Sequence, residues 1–337
     1  MFNPKYTISP KILSNIKHIT ELIVRLNGRH FSGVVFLELE KRARALSAHS
    51  STSIEGNPLP LTEVKRLLKN APENLRDSEK EVLNYNNALM YLKDNNEFNL
   101  GNILKIQELV TLGLINKFNS GKLRKEPVFV NDPKEGKTIY FPPDHGDVSR
   151  LMNELIEYVN NNKGMIDPLI LAGIFHKQFV IIHPFLDGNG RTSRLSTKIL
   201  LSDMGLNTFN LFSFENYYNN NVTKYFNEVG LVGDYYDFEG KVDFTPWIEY
   251  FTDGIIDELF RVGEEMNDAK SGVLESYEEK ILDYIKKHGF IRDKDYALLV
   301  KRAKPTRHLD FKKLRALNLI EMQGKGKNSF YILKNKI

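Results

Sequence analysis

The sequence predicts a mainly α-helical protein that carries one β-hairpin and ends in a winged helix-turn-helix domain. Three observations point there. Apolar residues recur at spacings of three and four over several segments. Extended-chain preference is confined to two short runs around a polar turn. Near residue 270 the charge and the element lengths both change. With 337 residues, 41% of them apolar, the chain can form two or three domains that each bury a core.

The elements follow in order. Residues 34–55 carry Phe36, Leu37, Leu39, Ala43 and Leu46 near helical spacing. That helix should stop at Gly56-Asn57-Pro58, because glycine suits the left-handed stop position and proline cannot continue. Residues 1–100 therefore read as an N-terminal helical region built around a helix at about 34–56. Within residues 127–143, Val128-Phe129-Val130 and Thr138-Ile139-Tyr140-Phe141 favour extended structure around a polar Asn-Asp-Pro-Lys-Glu-Gly turn, the signature of a hairpin. Val148, Leu151, Met152, Leu155, Ile156 and Val159 form an amphipathic helix. A further helix runs from about Pro168 to Val180, and another follows Gly190 through Leu195, Ile199 and Leu200. Residues 101–270 form the central domain of this reading.

Beyond Lys270-Ser271-Gly272, Ile281, Leu282 and Ile285 mark one helix, Asp295–Val300 a short second and Pro305–Leu317 a third. In the third, Leu309, Leu314 and Leu317 are expected inward and Arg307, Lys312, Lys313 and Arg315 outward. Leu319–Met322 and Ser329–Leu333 then close a wing around a turn rich in glycine and lysine, so residues 271–337 read as the winged helix-turn-helix. Tyr277–Ile337 holds 16 Lys/Arg against 7 Asp/Glu, a local charge of +9 on a chain whose net charge is +4. A basic tail on a mildly acidic body suggests a module with its own partner.

Composition narrows the function classes. No apolar run approaches the 18 or so residues of a bilayer span, and MFNPKYTISPK lacks a secretory apolar stretch, so no membrane partner and a cytoplasmic location are expected. The absence of cysteine removes disulfides, thiolate metal sites and cysteine nucleophiles.

The chemistry is concentrated in His183-Pro184-Phe185-Leu186-Asp187-Gly188-Asn189-Gly190-Arg191-Thr192-Ser193-Arg194. Physically this is a turn between two helices. Gly188 and Gly190, flanking Asn189, let backbone N–H groups converge as an anion nest at a helix N-terminus. Arg191 and Arg194, three apart, can grip further phosphate oxygens. Asp187 is a hard oxygen ligand suited to Mg²⁺ bridging phosphates. His183 is the group here able to take a proton near neutral pH.

This stretch resembles the H-x-F-x-[D/E]-G-N-G-R-x-x-R signature of the Fic (filamentation induced by cAMP) family at every specified position. The likeness extends upstream to His176, Phe179 and Ile182 and covers roughly residues 30–255. It implies an all-helical Fic fold and transfer of AMP from ATP to Ser, Thr or Tyr hydroxyls of a protein. On that resemblance His183 would be the base, Phe185 would anchor the loop, and Asp187 would bind Mg²⁺ on the α- and β-phosphates. Gly188, Asn189 and Gly190 would form the anion hole, Arg191 would assist the triphosphate and Arg194 would hold the γ-phosphate. Relatives that phosphorylate their targets carry a basic residue at the position of Asp187, which favours AMP transfer here; UMP or phosphocholine transfer uses a similar motif.

Ser51 and Glu55, four apart, share a helix face, and Glu55 lies at the helix end where the dipole disfavours negative charge, which hints at an arginine partner. The segment Ser51-Thr52-Ser53-Ile54-Glu55-Gly56 resembles the inhibitory motif [S/T]-x-x-x-E-[G/N] of Fic proteins with an N-terminal inhibitory helix. The resemblance implies that Glu55 pairs with Arg194 and blocks the γ-phosphate site. Some relatives use the same glutamate to remove AMP.

By the same resemblance, Thr138, Ile139 and Tyr140 would hold the target segment by strand addition. Tyr225-Phe226, ahead of Trp247-Ile248, resembles a family segment that places a tyrosine in the adenine pocket, so Tyr225 would lie near the nucleotide's adenine. The winged helix could engage DNA through Thr306, Arg307, Lys312 and Lys313 with Lys325 and Lys327 on phosphate, or recruit a protein partner, or mediate homodimerisation. The readings to separate are a self-inhibited adenylyltransferase, a nucleotide-sensing transcriptional regulator and a toxin-like module aimed at a bacterial target such as a topoisomerase subunit.

Overall fold

The computed structural model of the chain describes residues 2–29, 33–131, 136–272, 275–316, 319–324, 326 and 329–334. These divide into two compact units, one made of Met1–Gly28 and Arg42–Val262, the other of Arg29–Lys41 and Gly263–Ile337.

The first unit is helical, as expected. It contains α1 (Pro10–Asn27), the C-terminal half of α2 (Gly33–Ile54), α3 (Leu61–Lys69), α4 (Asp77–Leu92) and α5 (Leu100–Val110). After the strands β1 (Val130–Asn131) and β2 (Thr138–Phe141) come α6 (His145–Asn162), α7 (Pro168–Ile182) and α8 (Asn189–Leu201). The short α9 (Glu215–Asn220) and α10 (Val222–Val229), the strand β3 (Gly233–Asp234), α11 (Tyr235–Phe238) and the start of α12 (Thr245–Gly272) complete it. Helix α7 is the centre of the core. Pro168 opens it and the Asp167 side chain caps the Leu169 N–H, while nearly all of its side chains are buried. Buried on all sides, α7 needs no polar face.

Helix α2 departs from the simple apolar-stripe reading. Leu39 and Ala43 are buried, but Leu46 is only partly so, and the buried face of the last turns is Ala45, Ser47, Ala48, Ser50, Ser51, Thr52 and Ile54. The Ser51 and Ser47 hydroxyls accept hydrogen bonds from the buried Arg194 and Lys198 of α8. The helix ends where the sequence requires, with Gly56 at φ +92° and the Asn57 N–H returning to the Thr52 carbonyl.

The hairpin is shorter than its sequence suggests. Val128 and Phe129 stay outside β1, and the turn at 132–135 lies outside the described residues. Strand β2 is central in a three-stranded sheet. It pairs antiparallel with β1 (Val130 opposite Tyr140, Asn131 opposite Thr138) and parallel with β3 (Tyr140 opposite Gly233, Phe141 opposite Asp234). Tyr140 thus has strand partners on both sides, and the edge facing β3 is unoccupied by strand only at Thr138 and Ile139.

The second unit contains α13 (Ser276–His288), α14 (Asp293–Leu299) and α15 (Lys304–Ala316), followed by the antiparallel pair β4 (Ile320–Gln323) and β5 (Phe330–Leu333). Its core gathers Ile281, Leu282, Ile285, Ile291, Tyr296, Phe311, Leu314 and Tyr331, with the Phe311 and Tyr331 rings stacked at 4.1 Å. Two expectations for α15 need correction. Leu309 is 60% exposed, because Asp310 and Phe311 take the inward positions and Asp310 accepts a hydrogen bond from the buried Tyr296 hydroxyl at 2.8 Å. Arg307 is not an outward side chain. It forks onto both oxygens of Asp293 at 2.8 Å and onto the Arg302 carbonyl, while Lys313 reaches Glu278. Lys312 is exposed; Leu317, Lys325 and Lys327 lie outside the described residues.

Candidate active site

The site forms where α7 ends and α8 begins, under the last turn of α2. His183 is the C-cap of α7 at φ +50° and ψ +61°, the single non-glycine residue with positive φ among those described. Its Nδ1 lies 3.4 Å from the Val180 carbonyl, so that nitrogen is the donor and Nε2 is left with its lone pair. Burial holds the imidazole pKa down to about 4; the Val180 contact and the Glu55 and Asp187 carboxylates raise it, and Arg124 lowers it further. The ring is therefore neutral near pH 7 and able to accept a proton at Nε2.

The loop that follows is held by its own residues. Phe185 is fully buried beside Phe179, and the Asn189 side chain both accepts from the Phe185 N–H at 2.9 Å and donates to the Phe185 carbonyl at 2.8 Å. Gly188 caps α8 at φ +78°, and a Cβ there would come within 2.9 Å of the Thr111 methyl. Glycine is required both by the backbone and by the contact.

Above the start of α8 sits Glu55. An ideal Cβ on Gly190 would lie 2.1 Å from Glu55 Oε1, so the carboxylate rests directly against Gly190 at the start of α8. The same oxygen accepts from Arg194 Nη2 at 2.8 Å. Arg194 is fully buried and also donates to the Ser51 hydroxyl (2.8 Å), the Ser51 carbonyl (2.9 Å) and the Tyr225 hydroxyl (3.4 Å). Burial alone would push the Glu55 carboxyl up, but the Arg194 and Arg191 guanidiniums and the Arg194 hydrogen bond outweigh it and leave the pKa below the usual carboxylate value.

Arg191 is turned to other acids. Its Nη1 donates to Glu81 at 2.9 Å and its Nη2 to both Asp187 oxygens at 3.1 and 3.2 Å, while its Nε has no partner among the described residues. Asp187 keeps 46% of its side-chain surface and can turn to a new ligand. Tyr225 is buried rather than lining an opening. Its ring stacks on Tyr218 at 4.8 Å and its hydroxyl meets His176 Nε2 at 3.0 Å and Arg194, which makes it a floor under the arginine. Thr138 and Ile139 lie on the strand edge described above, and the Tyr140 hydroxyl donates to the Ile181 carbonyl at 2.9 Å, fastening β2 to the last turn of α7.

Three parts of the site were not singled out from sequence. Glu81, on α4, holds Arg191 and accepts from the Asn57 side chain at 2.7 Å, linking the end of α2 to the first motif arginine. Buried Glu215 accepts from the Tyr85 hydroxyl (2.6 Å), from Ser47 (3.1 Å) and from Lys198 (3.3 Å), clamping the middle of α2 to α8. Arg124 holds the carbonyls around His183. The sequence feature that could have pointed to them is the cluster Ser47, Ser50, Ser51 and Thr52 in α2, hydroxyls on a helix face that is buried.

Residues 97–201 match the sequence model of the Fic/DOC family. A protein adenylyltransferase Fic of Aedes aegypti is 33% identical over 175 residues, which is 49% of this chain and 34% of that protein. Its namesake in Drosophila grimshawi is 29% identical over 188 residues, 53% of this chain and 37% of that one. The chain thus spans about a third of the length of these curated relatives. A crystal structure of a Fic family protein from Desulfovibrio desulfuricans G20 superposes with a TM-score of 0.69 at 22% identity over 99% of both chains. A Fic domain containing signaling protein from Bacteroides thetaiotaomicron VPI-5482 gives 0.59 at 20% identity, over 77% of this chain and all of the other. The helical architecture is that of the Fic fold, and the Fic/DOC match lies within residues 97–201.

Proposed function

We propose that the chain is a protein adenylyltransferase, moving AMP from ATP to a Ser, Thr or Tyr hydroxyl of a target protein, and that Glu55 restrains it. The observation that carries this reading is the Glu55 carboxylate seated on Gly190 and bonded to Arg194, an acid standing where a nest and an arginine invite a phosphate. The curated relatives named protein adenylyltransferase support the reaction type.

In this mechanism the target hydroxyl oxygen attacks the α-phosphorus of ATP and gives its proton to His183 Nε2. The bond from that phosphorus to the bridging oxygen breaks, and pyrophosphate leaves with the electron pair. Little covalent work falls to the protein, so rate comes from alignment and from stabilising charge on phosphate oxygens. The nest at residues 188–190 would take the α- and β-phosphates, and Arg194 the γ-phosphate once Glu55 has moved aside. Arg191 would trade Glu81 and Asp187 for the triphosphate. The donor set suits a metal carried in by the nucleotide. Asp187 is a lone, partly exposed carboxylate, and the described residues include no cluster of three or more acids or histidines able to hold an ion themselves. Asp187 would hold Mg²⁺ against the phosphates, where the ion would neutralise developing charge. Thr138 and Ile139 would receive the target backbone, presenting its hydroxyl to His183.

The second unit fits a winged helix-turn-helix, with α14 and α15 as the paired helices and β4–β5 as the wing. Because Arg307 and Lys313 are engaged within the unit, a protein partner is the better match than duplex DNA.

The test incubates Glu55→Gly with labelled ATP and cell lysate, with His183→Ala in the same background as control. Labelled protein that depends on His183 is expected; equal labelling in both samples would refute the assignment.

A further inference from the structure

The base at position 183 depends on a residue far outside its motif. Arg124 is 3% exposed, and among the described residues no carboxylate pairs with it. Its guanidinium is instead spent on carbonyl oxygens. Nε donates to His183 at 2.9 Å, Nη2 to Pro143 at 2.5 Å and to Ile182 at 3.5 Å, and Nη1 to Glu126 at 3.2 Å. Its own backbone N–H donates to the Pro184 carbonyl at 2.9 Å.

These contacts complete the end of α7. A helix leaves its last carbonyls without intrahelical partners. Here Val180 receives the His183 ring, Ile181 receives the Tyr140 hydroxyl, and Ile182, His183 and Pro184 all receive Arg124. A cation at the C-terminal end of a helix is also favoured by the dipole. The residue so held is the one non-glycine with positive φ among the described residues, a conformation that persists only where its surroundings over-determine it. Pro143, two residues beyond β2, is gripped by the same guanidinium, so one side chain joins the exit of the strand to the backbone of the base.

We propose that Arg124 is a positioning residue. It holds His183 in its left-handed conformation and sets the β2 strand at a fixed distance from it, so that a hydroxyl delivered along the strand meets Nε2. This rests on the AMP-transfer reading and adds to it a determinant of target alignment that makes no contact with nucleotide.

The experiment measures steady-state transfer in the Glu55→Gly background with Arg124→Gln and Arg124→Lys. Misplacing the base by about 1 Å should lower kcat by about 10²-fold, with the KM for ATP nearly unchanged because the nest and Arg194 are intact. Arg124→Lys, which retains a buried cation and one set of donors, should fall between. A kcat within about threefold of the parent in a folded Arg124 variant, or an equal change in kcat and in the KM for ATP, would overturn the proposal, because misplacing the base lowers kcat alone. Should Arg124→Gln fail to fold, Arg124→Lys decides on the same criteria. If Glu55→Gly itself transfers nothing, the AMP-transfer reading fails separately. The crystal structure of Arg124→Lys then still tests the positioning role: His183 displaced from positive φ supports it, and His183 and Pro143 unmoved overturn it.

Discussion

Replacing Glu55 by glycine is the perturbation whose outcome follows most directly from the geometry. The carboxylate makes one charge-assisted hydrogen bond to Arg194 at 2.8 Å and rests on Gly190. On the proposed reading, productive binding of a triphosphate displaces it, and the net value of such a bond is about 1.5–3 kcal/mol. Because each 1.36 kcal/mol is a factor of ten, removing the competitor should raise productive turnover by roughly 10- to 150-fold. Arg194 loses its anionic partner but keeps the Ser51 hydroxyl, the Ser51 carbonyl and Tyr225, so the fold should survive with a stability loss on the order of 1–3 kcal/mol. Glu55→Gln keeps an acceptor without the charge and should lie between wild type and Glu55→Gly. The assay is incorporation of α-labelled ATP into protein at saturating nucleotide, alongside thermal melting with and without ATP. Equal rates for wild type and Glu55→Gly would show that the carboxylate is not the obstacle and refute the reasoning.

Other outcomes follow from the same contacts. His183→Ala in the activated background should lose about 10²–10⁴-fold in kcat while still binding ATP in a calorimetric titration. Because burial lowers the His183 pKa from 6.5 to about 4, the acid limb of kcat/KM should lie near pH 4 rather than 6.5, and lower still in Glu55→Gly, since Glu55 raises that pKa. The linkage has the matching sign. The unfolded imidazole binds a proton more readily, so this group's contribution to stability is complete above about pH 6.5 and is lost as the pH falls towards 4, which acid unfolding curves of wild type and His183→Ala would reveal. Asp187→Ala should raise the Mg²⁺ concentration needed for half-maximal transfer, read from a metal titration at fixed ATP. Phe185→Ala empties a fully buried position under the loop and should cost about 3–5 kcal/mol in a urea titration.

The legible part of this protein is the part governed by near neighbours in the chain. Helices α6, α7 and α8 follow the apolar spacing around Leu151, Phe175 and Leu195, and α2 stops at Gly56 because a left-handed residue and a proline follow it. The loop from His183 to Arg194 could be read as a phosphate site because nest, acid, base and arginines all fall within one turn. The harder elements break the periodic rule. The last turns of α2 bury Ser47, Ser50, Ser51 and Thr52, which an apolar-stripe reading treats as solvent-facing. In α15 the inward position goes to Asp310 instead of Leu309, since a hydroxyl on Tyr296 satisfies the carboxylate there.

By itself, then, the chain's order of residues determined which segments are helical, where they stop and which candidate chemical groups one short loop gathers, because backbone preference and side-chain spacing act over a few residues. Only the folded molecule decided who else answers whom: Ser51 to Arg194, Glu81 to Arg191, Gly233 to Tyr140, Arg124 to the backbone of His183. The Ser51–Arg194 contact spans 143 positions of sequence. Such pairings are selected by whole surfaces that must pack and by buried charges that must each find a partner, and no local pattern records which of several acids a given arginine will meet.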